Sequence, residues 1–274
     1  MKRIALIIMV FSMAWSCKND PKPNENTTVD EEVITESEPS EVTNDGDVIS
    51  KIAEAHGGME KWNGLKSVYF EIERSDYQEK YTIDLDSRNV RIEYKDHILG
   101  KDGETLWVKN LGTEDFKGKA EDLHNFMYYL HFMPFIIMGD AKENGSAPVL
   151  TYDGKEFPGV AIKPDPEKSG KTENDEFIIY YNPDTYQMEW LAYKVNYFTE
   201  SKEVLYTLIK YHDWETVDGL VLPSVVQWHI FDKGEIKDQI NEMFYQNTKL
   251  MTEAADASLF AKPADSKLAS EIKK

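Results

Sequence analysis

The chain has 274 residues, with 50 acidic against 31 basic side chains and a formal net charge of −19; its pI is near 4.7. Nucleic acid and anionic lipid headgroups both demand clustered Lys or Arg, so neither is expected as a partner. Cys17 is the single cysteine, which excludes an intramolecular disulfide.

Lys2 and Arg3 precede an apolar run from Ile4 to Trp15, the charged and hydrophobic regions of an export signal. The run is too short to span a bilayer as a mature helix. Ala14-Trp15-Ser16-Cys17 resembles a lipobox, which predicts removal of residues 1–16 and acylation of Cys17. The expected location is the outer membrane, with the protein held by its lipid anchor on the periplasmic face or at the cell surface. Residues 17–46 read as a tether. Pro21, Pro23 and Pro39 interrupt it, and its few apolar residues, such as Val29 and Ile34, keep no period, so it cannot bury enough surface to offset the entropy of ordering. From residue 18 to 46 the net charge is about −7, which favours extension.

Residues 47–274 are long enough for one domain with a real core. Asp47 is placed to cap a short helix carrying Val48, Ile49, Ile52 and Ala53 on one side and stopping at Gly57-Gly58. After Trp62 the apolar period becomes two, giving strands over 68–73, 77–85, 90–94 and 106–108. The alternation breaks at 120–139, where AEDLHNFMYYLHFMPFIIMG is apolar nearly all round: a helix with acidic residues in its first turn, kinked or ended at Pro134. Strands resume over 149–152, 159–162, 177–181, 188–198, 204–214, 222–231 and 236–245, with a charged loop at 163–175. The fold class is therefore mainly β, with about 11 strands. The prediction is a strongly curved antiparallel sheet, an incomplete β-barrel whose concave face is plugged by one or two helices.

Three stretches, AEAHGGMEKWNGLKSVYFEI, FIIYYNPDTYQMEWLAYKV and YHDWETVDGLVLPSVVQWH, together resemble the LolA/LolB-like superfamily, and more narrowly its envelope lipoprotein relatives in Gram-negative bacteria. The resemblance spans roughly residues 47–263. It implies an incomplete barrel closed by helices that binds an apolar ligand, a lipid or a lipoprotein acyl chain. The soluble carrier of that family latches its lid helix with an arginine; here Arg74, Arg88 and Arg91 are the arginines of the domain.

Residues suited to chemistry are scattered. His56, His97, His124, His131, His212 and His229 form no H-E-x-x-H or comparable spacing, although His124 and His131 share a helix and His229 is placed to face Asp238 across a hairpin. Asp84 and Asp86 alternate on one strand and read as a solvated face more than a calcium site. There is no G-x-S-x-G elbow and no P-loop. No enzyme, cofactor or metal is expected. The aromatic content is the stronger signal. An unclosed barrel leaves interior volume for one ligand, and methionine supplies adaptable apolar surface. The candidate lining is Trp107, Trp190 and Trp228 from strands, with Phe126, Met127, Tyr129, Leu130, Phe132, Met133 and Phe135 from the insert, where Phe132 and Met133 are expected on a ligand-facing side. The reading is a membrane-anchored lipoprotein with an apolar ligand in a half-barrel cavity. The alternative is a structural or interaction lipoprotein with a filled core, whose outer face meets an envelope protein.

Overall fold

The structure, a computed structural model, describes residues 45–164, 176–194, 206–232 and 234–272. Cys17, the signal and the tether as far as Asn44 lie outside these residues, as do the loop over 165–175 and the strand extensions expected at 195–198 and 204–205.

Helix α1 (Asp45–Ala55) starts ahead of Asp47, which therefore lies inside the first turn instead of capping it. It buries Val48, Ile49, Ile52 and Ala53 as its spacing predicts. Gly57 and Gly58 follow at φ 105 and 86. A Cβ on Gly57 would sit 2.2 Å from the Gly219 carbonyl oxygen, so glycine is required there both by its backbone and by what crosses it. A short helix α2 (Met59–Asn63) then leads into the sheet.

The strands are β1 (Ser67–Glu73), β2 (Gln78–Asp84), β3 (Val90–Glu93), β4 (His97–Asp102), β5 (Thr105–Asn110), β6 (Ala141–Tyr152), β7 (Lys155–Pro164), β8 (Glu176–Tyr181), β9 (Met188–Lys194), β10 (Thr207–Val217), β11 (Leu220–Asp232), β12 (Glu235–Met251) and β13 (Lys267–Leu268). They form one 13-stranded antiparallel sheet in the order β13-β5-β4-β3-β2-β1-β12-β11-β10-β9-β8-β7-β6, with β13 and β6 as free edges. It is not closed into a barrel. Two meanders, β1–β5 and β6–β12, are thus joined along the β1–β12 pair. Register shifts between Tyr69 and Glu71, between Trp228 and His229 and between Ala147 and Leu150 add the local twist by which bulges bend a sheet.

Two of the strands, β4 and β13, were not expected from the sequence. Gly100 interrupts β4, and the reason is steric: the Trp107 ring lies across it, 2.1 Å from where a Cβ would be. β13 is two residues long and has no period to show. The insert divides at Pro134 as predicted, into α3 (Ala120–His131) and α4 (Met133–Asp140), with the proline in the first turn of α4, where its missing N–H costs nothing. No helix among the described residues is long and apolar enough to cross a membrane.

One large cluster of buried side chains joins α1, α3 and α4 to alternate residues of the strands, including Val68, Phe70, Ile72, Leu191, Ile209, Tyr211 and Tyr245. This is the inner face. A second cluster, around Trp190, Leu208, Phe157 and Ile178, occupies the opposite face of β6–β11.

Candidate ligand-binding interior

α3 and α4 occupy the inner face as a buried plug. Tyr128, Tyr129, Leu130, His131, Phe132, Met133, Phe135 and Ile136 are all buried, and Leu123, Phe126 and Met127 are partly so. Phe132 is wholly enclosed, with ring centroids at 5.2 Å from Trp62, 6.0 Å from Phe70 and 5.4 Å from Tyr128. Phe135 stacks on Trp62 at 5.1 Å. Each such ring contributes about 1.5–3 kcal/mol by burial alone. Phe132 and Met133 thus pack into the core in this closed arrangement.

Polar contacts also tie this plug to the sheet. The Arg88 Nη1–H donates to the Tyr128 hydroxyl at 2.9 Å, and the same guanidinium lies 4.6 Å from the Tyr128 ring centre and 5.6 Å from that of Tyr129. The Tyr245 hydroxyl donates to the Met127 carbonyl at 3.1 Å. His131 Nε2 shares a 2.9 Å hydrogen bond with the Thr248 hydroxyl, and its ring stacks on Tyr245 at 4.0 Å. A void of about 10 Å³ bounded by His131, Pro223, Tyr245 and Thr248 has room for roughly one water. Burial lowers the His131 pKa to about 3, the nearby Pro223 carbonyl offsetting part of the shift. The other two arginines are engaged elsewhere. Arg74 makes a two-pronged pair at 2.9 Å with the buried Glu79, which also accepts from the Tyr77 and Tyr81 hydroxyls, and Arg91 pairs with Glu93.

Of the residues predicted to line a cavity, Phe126, Met127, Tyr129, Leu130, Phe132, Met133, Phe135 and Trp228 share this interior. Trp228 donates its Nε1–H to the Tyr193 hydroxyl at 3.2 Å, and Tyr193 meets Phe126 edge-on at 5.9 Å. Trp107 and Trp190 do not belong there. Trp107 alternates with the inward Val108, and its Nε1–H bonds the Phe260 carbonyl at 2.9 Å, so the C-terminal segment covers it on the outer face. Trp190 alternates with the inward Leu191 and sits in the outer cluster, 5.3 Å from His229. The inner lining that the sequence reading missed is Trp62, Phe70, Tyr193, Tyr211 and Tyr245, each at an alternating strand position or on α2.

The histidines have separate partners. His124 Nε2 contacts Asn125 at 2.8 Å, apart from the bond of His131 to Thr248. His229 pairs with Gln239, not Asp238, because a bulge shifts the register between Phe231 and His229. Asp84 accepts from the Ser87 N–H and hydroxyl in the β2–β3 turn while Asp86 pairs with Lys66, so the two carboxylates do not converge. A surface cleft of about 710 Å³ beside α2 is lined by Glu60, Lys61, Asp218 and Glu253 together with Leu65, Leu220, Leu250 and Met251, so its walls are mostly apolar.

His56 joins the three sequence stretches that carried the family resemblance. Its Nδ1–H donates to the Val221 carbonyl at 2.9 Å, its Nε2 accepts the Met188 N–H at 3.1 Å, and its ring lies 4.5 Å from Trp214. Burial lowers its pKa to about 4. Those stretches therefore meet at a structural joint between α1, β9, β10 and β11.

No protein-family model matches the chain, and neither does any curated protein sequence. Among solved structures, it is similar to a LolA superfamily protein from Nitrosomonas europaea, at 12% identity and a TM-score of 0.46, covering 80% of this chain and 97% of that one. It is also similar to a DUF1329 family protein from Desulfovibrio piger, at 13% identity and a TM-score of 0.42, covering 79% and 98%.

Proposed function

We propose that this protein is an envelope lipoprotein, anchored through Cys17, that binds a lipid or lipoprotein acyl chain on its inner face after α3 and α4 withdraw, and that it is a binding protein without enzymatic activity. One observation carries the reading. A helical pair apolar on nearly all sides fills the concavity of a sheet that is left open. A sheet that needed only a covering helix would be served by one apolar stripe. Here the plug offers the sheet a surface of the same chemistry as hydrocarbon, so an acyl chain is a fair exchange for it. The lipobox, the acidic tether and the resemblance in sequence agree with a site of action at the membrane.

The filled-core alternative is favoured by the complete enclosure of Phe132 and the stacking of Phe135 on Trp62, which describe a protein that is already satisfied without ligand. Native mass spectrometry of the chain purified from its host envelope separates the two. The proposal expects co-purifying lipid and saturable binding of a fluorescent fatty acid; a chain that carries no lipid and binds no acyl probe is the interaction protein instead.

A further inference from the structure

Tyr211 of β10 is wholly buried on the inner face, and its hydroxyl has no hydrogen-bond partner. Its ring stacks on Trp214 at 6.0 Å, and each of the two tyrosines that act on it electrostatically meets α3. Tyr193, on the adjacent β9, touches Phe126, and Tyr245, on β12 two strands away in the other direction, gives its proton to the Met127 carbonyl. Burial raises the Tyr211 pKa well above its ordinary value, with Tyr245 and Tyr193 adding to the shift, so it stays a neutral O–H donor. A buried hydroxyl without a partner bears its full desolvation penalty. When α3 withdraws, the Met127 carbonyl goes with it and the Tyr245 O–H loses its acceptor as well. The open state then presents the Tyr211 and Tyr245 hydroxyls on this part of the wall, while the Thr248 hydroxyl loses His131 and the Arg88 guanidinium loses Tyr128 as a partner.

We infer that this part of the inner face recognises a carbonyl-type oxygen on the ligand, the carboxylate or ester of an acyl chain, through the Tyr211 and Tyr245 hydroxyls. The inference rests on the acyl-chain reading above and adds polar selectivity to it. A pure hydrocarbon would leave both donors unpaired, and sites with unpaired buried donors discriminate strongly against ligands that lack the matching group.

The test uses the full chain, kept soluble by Cys17→Ser, with three probes: pyrene-labelled hexadecanoic acid, its methyl ester, and pyrene-labelled hexadecane. The expected result is about tenfold tighter binding of the oxygen-bearing probes than of the hydrocarbon. In Tyr211→Phe that preference shrinks to about twofold or less, while the unfolding temperature holds or rises because an unpartnered hydroxyl has been removed. Preference for the acid alone identifies a free fatty acid, and preference for both acid and ester identifies an esterified lipid. Equal binding of all three probes, or an unchanged preference in Tyr211→Phe, overturns the inference and leaves the acyl-chain reading standing. A marked loss of stability in Tyr211→Phe also overturns it, since the hydroxyl would then have a partner in the closed protein. Failure to bind any probe overturns both.

Discussion

Two buried histidines weaken this fold in acid. His56 and His131 are held neutral, with pKa values lowered from 6.5 to about 4 and about 3. The unfolded chain binds their protons more tightly, so their contribution to stability is complete above pH 6.5 and is lost as the pH falls towards 4. Each adds a slope of about 1.4 kcal/mol per pH unit in that window. Urea unfolding at pH 7.5 and 4.5 should show the loss, and a flat profile would mean that the rings are solvated. Arg88 makes a different prediction. It holds φ 59, a left-handed conformation that disfavours any side chain, while its guanidinium covers Tyr128. Arg88→Gly relieves the backbone and frees α3 together, so stability should change by no more than about 1 kcal/mol while uptake of a fatty acid probe accelerates. Arg88→Lys should retain most of the restraint by keeping the charge over the ring. Identical uptake rates in Arg88→Gly and the parent chain would remove Arg88 from the latch role.

At the scale of elements, the plug was legible from the sequence and its orientation was not. The run over 120–139 announces burial because it is apolar on every side, and Pro134 announces the break. Neither tells which neighbours enclose Phe132, since a ligand and a second layer of protein look alike to an apolar face. The same ambiguity misplaced Trp190. Trp190 to Tyr193 is apolar on both faces because a second cluster covers the outer side, and alternation alone cannot say which face carries the helices. β4 was hidden by Gly100, whose missing side chain makes room for Trp107. Packing now makes the prediction for Phe132→Glu: a loss of several kcal/mol of folding stability, seen in chemical unfolding, because a charge enters a space filled by Trp62, Phe70 and Tyr128. A variant as stable as the parent would reveal a solvent-accessible or ligand-sized gap at that site.

For the whole molecule, the proposed anchor sets a simple expectation. Several acyl chains hold a protein stably at a bilayer where one does so only marginally, so Cys17→Ser should move the protein from the membrane fraction to the soluble one or block its maturation. Fractionation with and without detergent measures this, and unchanged membrane association would refute acylation at Cys17. The order of strands has a consequence in time. Within each meander almost every pair joins strands adjacent in the chain, but the pair that unites them sets Ser67 against Met251. That seam cannot close until β12, the last long strand, has left the ribosome. The closure is a long-range event of the kind that slows folding, and it leaves the nascent chain as two incomplete halves until β12 is available to join them.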